Sequence, residues 1–267
     1  MFLPGTVSKA QAQGGREDQQ DYIVSKSFLH FRHGWGHLVG VLDGHGGREV
    51  SFIGKMMIPV IFDVRAKDME TEMARTIAML HLHTDLYESG STLSLAYINE
   101  VQQTVTTAVL GDSPILVIDE NDILHVSIEH NVRSNLNERM AAVARGAVYR
   151  QDGYITNAPD NDYGLPSDEG LQVSRALGDK VFTHLLDRTP DINTYRLGSK
   201  SMVFVASDGL FDPGHAKEDP ELLQKLLVEI EKGGNAEAIL KWREKQGELK
   251  DNASLVLWRP KTLWNMF

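Results

Sequence analysis

The stretch LVGVLDGHGGRE, residues 38–49, joins an apolar segment directly to an acid and a run of glycines. The apolar residues predict a buried β-strand that ends at Asp43. Gly44 and the two glycines after His45 leave backbone amides and carbonyls open to a ligand. A lone Asp-Gly pair is usually a solvated turn, so this stretch indicates a site only if other segments supply matching groups.

Three other segments carry an acid at the end of an apolar strand. MVFVASDGLFD (202–212) contains Asp208 and, four residues later, Asp212, which share a face if a helical turn begins there. TAVLGDS (107–113) ends in Asp112, and KDNASLVLW (250–258) opens with Asp251. The four strand-end acids, Asp43, Asp112, Asp208 and Asp251, each lie beside Gly or Asn, and together the four segments predict a cluster of carboxylates.

Such a cluster would repel itself unless cations lay within it. The chain has no cysteine, so hard oxygen ligands point to Mg²⁺ or Mn²⁺ rather than zinc. Two such ions about 4 Å apart can activate a water molecule toward phosphorus. The pattern therefore favours hydrolysis of a phosphate ester, which is very slow without a catalyst.

Composition excludes several other classes of protein. The 267 residues carry a net charge of −10 and no basic run, so we expect no nucleic-acid partner. The longest apolar runs fall far short of the roughly 18 residues needed to span a bilayer, so we expect no membrane segment and a cytoplasmic location. The absence of cysteine rules out disulfides, zinc fingers, iron–sulfur clusters and a cysteine nucleophile.

Short β-rich runs dominate the chain, and helical periodicity separates them. The runs at 21–31 and 36–43 flank RHGWG and predict a hairpin, and further strands are predicted at 91–98, 102–112, 114–120, 123–128, 201–209 and 253–258. Helices are predicted around 73–87, 222–230 and 235–248. We expect one domain over residues 1–267, with a polar surface excursion at about 150–170.

The order of these motifs resembles a known family. GREDQQD, VLDGHGG, SGST, LGDS, VSRALGD, ASDGLFD and DNASLVL follow one another as in the metal-dependent protein phosphatases of the 2C type, from about residue 5 to 258. IEHN (128–131) with Glu138 and Arg139 is similar to a further segment of that family. The resemblance implies an α+β fold, a four-layer αββα sandwich in which helix pairs flank two central antiparallel β-sheets. It also implies a metal cleft at one end of the sandwich.

The resemblance further implies a two-ion or three-ion centre of Mn²⁺ or Mg²⁺. Asp43 would bridge two ions, and the Gly44 carbonyl would ligate one of them. Asp208 and Asp251 would hold the first ion. A weaker third site would use Asp208 together with Asp112 and Asp212.

Two other side chains receive roles by the same resemblance. Arg16 would clamp the substrate phosphate, since a guanidinium suits bidentate contact with phosphate. His45 would be the general acid that protonates the leaving serine or threonine oxygen. The excursion at 150–170 would be a flap that contacts the substrate.

The first motif, GREDQQD, allows two alignments. Placing Arg16 on the family's arginine assigns Asp21 to the metal centre and leaves Gln20, a neutral amide, where a ligand carboxylate is usual. The rival alignment uses Glu17–Asp18 as the acidic pair and puts Gln13 in place of the arginine. We prefer the first, because it keeps Arg and Asp at the family spacing and leads directly into the apolar strand that follows.

We therefore expect a phosphoserine and phosphothreonine protein phosphatase, acting as a monomer on a phosphoprotein substrate. Two alternatives stay open at this point. One is a non-catalytic regulatory module on the same fold, for which Gln20 is the single favouring feature. The other is a metal-dependent hydrolase of small phosphate esters.

Overall fold

The computed structural model describes residues 3–30, 34–157, 169–211, 216 and 218–261. Most of the predicted flap, residues 158–168, lies outside this range. Within the described part no helix is both long and apolar enough to cross a membrane.

The described residues form fifteen strands, five α-helices and two short 3₁₀ turns. The strands are β1 (Leu3–Ala12), β2 (Tyr22–His30), β3 (Gly34–Leu42), β4 (Gly44–His45), β5 (Gly90–Ser91), β6 (Leu93–Asn99), β7 (Thr104–Leu110), β8 (Ile115–Ile118), β9 (Leu124–Val126), β10 (Val148–Tyr149), β11 (Ile155–Thr156), β12 (Leu177–Gly178), β13 (Asp191–Arg196), β14 (Met202–Ala206) and β15 (Ala253–Lys261). The helices are α1 (Glu49–Ile61), α2 (Met69–Thr84), α3 (Leu136–Ala144), α4 (Pro220–Glu231) and α5 (Ala236–Gln246), and the 3₁₀ turns are Lys180–Phe182 and Asp208–Leu210.

Two five-stranded antiparallel sheets form the centre of the molecule. One has the order β1-β15-β14-β8-β9 and the other the order β13-β7-β6-β3-β2. The predicted hairpin is confirmed, since β2 pairs with β3 from Tyr22 opposite Leu42 to His30 opposite Gly34. Smaller sheets join β12 to β5 and β4, and β10 to β11.

The alternation of side chains along each strand divides the core into layers. On β3, Leu38 and Leu42 face α1 and α2, whereas the intervening Val39 and Val41 face the other sheet. On β14, Phe204 packs with α4 and α5 while its neighbours on either side face β3. Each large sheet is thus buried on both faces, and the predicted four-layer αββα sandwich is confirmed.

The helices are held in place by caps and by one close approach to the sheet. Asp68 caps α2 by accepting hydrogen bonds from the amides of the first turn, and Asp219 caps α4 ahead of Pro220. Gly54 of α1 lies so near β3 that a Cβ there would be 2.3 Å from Leu42. The glycine therefore lets α1 pack directly over the strand that leads to Asp43.

Candidate metal centre

The acids predicted at strand ends gather at one edge of the sandwich. Asp43 follows β3, and Asp21 precedes β2, whose first residue pairs with the last residue of β3. Asp208 follows β14, and Asp251 precedes β15, which pairs with β14. Because neighbouring strands are antiparallel, the end of one strand lies beside the start of the next, which places Asp43 near Asp21 and Asp208 near Asp251. The two pairs also meet across the sheets, since Asp43 senses the charge of Asp208 and Asp21 senses that of Asp251.

Asp21 is the most deeply buried acid of this edge, with 1% of its surface exposed. The Ser207 hydroxyl donates to its Oδ2 over 2.8 Å, while its Oδ1 is buried and accepts no hydrogen bond from any described residue. Burial raises the pKa of Asp21 to about 6, although hydrogen bonds from Ser207 and Ser254 act in the opposite direction. A buried carboxylate oxygen without a partner is costly, and a cation would satisfy it.

Asp43 lies between the other carboxylates. Its carboxyl group is within hydrogen-bonding reach of those of Asp21 and Asp208. Burial is the main cause that raises the pKa of Asp43 well above its usual value, and the charges of Asp21, Asp208 and Asp112 raise it further. The centre therefore concentrates negative charge that a divalent cation would neutralise.

The donor set fits Mg²⁺ or Mn²⁺, because it consists of oxygen atoms. Gly44 opens this edge to close approach, since a Cβ there would lie 2.5 Å from the carbonyl oxygen of Gln20 and 2.7 Å from Ser51 Oγ. Among the described residues, no three His, Asp or Glu side chains are gathered tightly enough to enclose an ion by themselves. Backbone oxygens and water would complete the coordination, as is usual for Mg²⁺.

Of Asp112 and Asp212, two of the acids predicted for a third ion, the structure describes Asp112. Asp112 is buried and accepts a hydrogen bond of 2.7 Å from the Asn131 amide, and its charge reaches Asp43. Asp212 lies outside the described residues. The structure thus brings Asp112 to the edge of the cluster around Asp43.

Arg16, the predicted phosphate clamp, forms an ion pair with Asp251. Its side chain remains 60% exposed at the mouth of the site. The hydrogen bond to Asp251 raises the pKa of Arg16 against the effect of burial. The guanidinium therefore lies beside the carboxylate cluster and is open to a ligand from solvent.

Asn252 fastens the segment that carries Arg16 to the start of β15. Its Nδ2 donates to the carbonyl oxygens of Gln13 and Asp18 over 2.8 and 3.0 Å, and its Oδ1 accepts from the Gln20 amide over 2.8 Å. Gly14 has a φ of +62°, and a Cβ there would lie 2.1 Å from the Asp251 carbonyl oxygen. Asn252 belongs to the DNASLVL motif, but its partners, Gln13, Asp18 and Gln20, lie more than 230 positions away, so no local pattern indicated its role.

The two alignments of the first motif place different acids near Asp43. Glu17 and Asp18 are exposed, whereas Asp21 is buried against Asp43. The Gln20 side chain donates to Asp18 Oδ1 over 3.1 Å and accepts from the Gly47 amide over 3.4 Å. The positions of Asp21 and Arg16 thus agree with the preferred alignment.

His45 faces an acid to which the sequence analysis assigned no role. Both carboxylate oxygens of Asp179 lie 2.9 Å from His45 Nε2. Burial opposes protonation of His45, but the Asp179 charge and hydrogen bond outweigh it and raise the pKa of the imidazole.

Asp179 is itself firmly placed. It is buried and has a left-handed backbone, with a φ of +54°. A non-glycine residue in that conformation is often found at functional sites. The sequence signal for Asp179 is the Gly-Asp pair that ends VSRALGD, since the same pair of residues occurs at Asp112.

Comparison with known proteins agrees with this geometry. The family model of protein phosphatase 2C matches residues 13–232. A probable protein phosphatase 2C 9 of Arabidopsis thaliana is 27% identical over 217 residues, which cover 78% of this chain and 72% of the plant protein.

Solved structures share the fold. A serine-threonine phosphatase 2C from Toxoplasma gondii superposes with a TM-score of 0.70 at 18% identity, covering 98% of each chain. RsbX in complex with magnesium has a TM-score of 0.57 at 14% identity and covers 96% of this chain and 94% of its own. The family match over most of the chain, on this fold and with these acids, shows that the chain belongs to the protein phosphatase 2C family of metal-dependent serine/threonine protein phosphatases.

Proposed function

We propose that this chain hydrolyses phosphoserine and phosphothreonine in protein substrates at the edge formed by Asp21, Asp43 and Asp208, with two or three Mn²⁺ or Mg²⁺ ions. The observation that carries the proposal is the unpartnered buried Oδ1 of Asp21 beside the raised pKa of Asp43. Carboxylates crowded in this way repel one another when ionised, and cations between them would stabilise the ionised forms.

Asp43, the Gly44 carbonyl, Asp208 and Asp251 would hold two ions, with Asp21 beside them and Asp112 and Asp212 available to a third. When bound, the ions would supply the Lewis acidity that makes water nucleophilic near neutral pH. Asp251 would be one of the residues that hold an ion, and the exposed Arg16 guanidinium lies beside it. Arg16 would bind the phosphate oxygens of the substrate in the bidentate manner that its geometry favours.

His45 would protonate the leaving oxygen of serine or threonine. Asp179 faces Nε2 and would keep a proton on that nitrogen, so that Nδ1 carries the proton to be transferred. The Asp179 carboxylate would also hold the ring in one orientation. We regard Asp179 as a positioning residue, because it touches His45 and acts on the substrate through it.

A phosphate-release assay tests the proposal. The native chain and the variants Asp43→Asn and Asp208→Asn would be incubated with Mn²⁺ or Mg²⁺ and either p-nitrophenyl phosphate or a phosphothreonine peptide. We expect activity that a chelator abolishes and that both substitutions remove. Asp18→Asn, in an exposed acid close in sequence to Asp21, is the matched control and should keep its activity.

The outcomes separate the remaining candidates. An inactive native chain with every divalent ion would contradict the proposal and favour a non-catalytic binding module. Activity on the aryl ester alone would favour a hydrolase of small phosphate esters. A cytoplasmic location, a monomeric state and the lack of a nucleic-acid partner stay predictions from composition.

A further inference from the structure

An exposed apolar stripe runs along α1 and leads outward from the end of the helix that lies nearest the metal centre. Phe52, Met56 and Val60 are spaced four residues apart on one face, and 47%, 56% and 80% of their surfaces are exposed. The stripe begins at Phe52, in the first turn of α1, which starts at Glu49 soon after β4. At 1.5 Å per residue it extends about 12 Å, the length of roughly four residues of extended peptide.

Strand β2, at the edge of its sheet, adds an aromatic ring and one lysine to this stripe, and α1 itself adds a second lysine. The Tyr22 ring lies edge-on to Phe52 with centroids 5.5 Å apart, and Lys55 Nζ lies 5.0 Å from the Tyr22 centroid. Lys26 donates to the carbonyl oxygen of Pro59 over 2.9 Å. We call these residues the α1 stripe: Tyr22, Lys26, Phe52, Lys55, Met56 and Val60.

The α1 stripe is cationic in a chain whose net charge is −10. Residues 21–30 and 49–61 contain two acids, Asp21 and Glu49. Asp21 is buried at the candidate metal centre, whereas Glu49 is exposed at the start of α1, three residues before Phe52, with its carboxylate against Gly47. Lys26 and Lys55 are both exposed, so the exposed lysines of these two segments outnumber their one exposed acid, and an approaching partner meets a net positive charge there.

Exposed apolar side chains arranged in a continuous patch commonly mark a surface that binds another protein. This patch begins beside the metal centre, because Tyr22, which contacts Phe52, directly follows Asp21 and because α1 directly follows residues 43–48. We propose that the α1 stripe binds the segment of a phosphoprotein that flanks its phosphorylated residue, and that it favours segments with acidic and large apolar side chains. The inference deepens the proposed function and rests on it.

Steady-state kinetics on two phosphothreonine peptides test this inference, one with Glu and Leu beside the phosphothreonine and one with Lys and Ser there. The double variants Lys26→Glu/Lys55→Glu and Phe52→Ala/Met56→Ala should each lower kcat/KM for the acidic apolar peptide about tenfold. Activity on p-nitrophenyl phosphate should stay unchanged, because that substrate is too small to reach the stripe. Lys200→Glu and Leu82→Ala, at exposed positions elsewhere, are the matched controls.

Equal losses on the peptide and on the aryl ester, or no loss on the peptide, would overturn the inference. So would a change of oligomeric state in the Phe52→Ala/Met56→Ala variant, which would identify a second copy of the chain as the occupant. Fluorescence anisotropy of the labelled peptides, recorded with Mn²⁺, measures binding of the peptide separately from its hydrolysis. An inactive native chain that still binds the acidic peptide through the stripe would contradict the proposed function while supporting the docking surface.

Discussion

Replacing Asp21 with Asn should stabilise the metal-free protein, even though Asp21 lies in the candidate metal centre. The pKa of this carboxyl is about 6 in the folded chain and 3.8 when exposed. Above pH 6 the ionised carboxylate is therefore less favourable in the folded state, by about 3 kcal/mol for a difference of about two units. As the pH falls from 6 toward 3.8, the folded chain binds the proton first and this penalty disappears.

Asn keeps an oxygen that can accept from Ser207 and removes the charge beside Asp43. With part of the penalty recovered, we expect the melting temperature of Asp21→Asn to rise by about 5 °C at pH 7.5 in EDTA. The gain should vanish at pH 4. Thermal unfolding followed by circular dichroism at both pH values measures it, with Asp18→Asn as the control that should stay within 1 °C or so of the native chain.

Metal should reverse the order of stability. Added Mn²⁺ should raise the melting temperature of the native chain more than that of the variant, because a ligand that binds only the folded state stabilises it in proportion to its affinity. A variant that melts at or below the native temperature in EDTA at pH 7.5 would refute the argument that Asp21 is held as an uncompensated carboxylate.

Two further substitutions probe the proposed roles. Asp179→Asn should lower kcat on a phosphothreonine peptide about a hundredfold and on p-nitrophenyl phosphate only a few-fold, because the aryl oxygen leaves without a general acid; an equal loss on both substrates would indicate a merely structural role. Gln20→Glu should lower the Mn²⁺ concentration needed for half-maximal activity several-fold, since it adds a carboxylate beside the Gly47 turn. A greater Mn²⁺ demand, or a loss of activity in Glu17→Ala equal to that in Asp21→Ala, would favour the rival alignment.

The sequence predicted those parts of the fold that depend on local patterns. The apolar runs ending at Asp43, Asp112 and Asp208 appear as strands, and β6, β8 and β15 follow the predicted runs. Both the apolar runs and the paired Asp and Gly at their ends are encoded by neighbouring residues. The helices beginning at Met69 and Pro220 were recognised from their buried faces.

Other elements could not be predicted from the sequence, because contacts between residues far apart in the chain stabilise them. Helix α1 contains Gly54 and Pro59, both unfavourable in a helix interior, and its packing on β3 compensates for them. Strand β1 was not predicted, and it is held by pairing with β15 from the other end of the chain. Asp179 meets His45 across 134 positions of sequence, and no local pattern specifies such a contact.

The pairing of β1 with β15 bears on when, during its synthesis, the protein can assemble its catalytic site. The ion pair between Arg16 and Asp251 and the hydrogen bond between Gln20 and Asn252 form only after β15 has left the ribosome. Each joins residues more than 230 positions apart. Contacts of such sequence separation form slowly, because a long loop must close first. On the roles proposed for Arg16 and Asp251, the nascent chain would gain activity only once β15 has docked beside β1, so that the order of translation would delay the onset of activity.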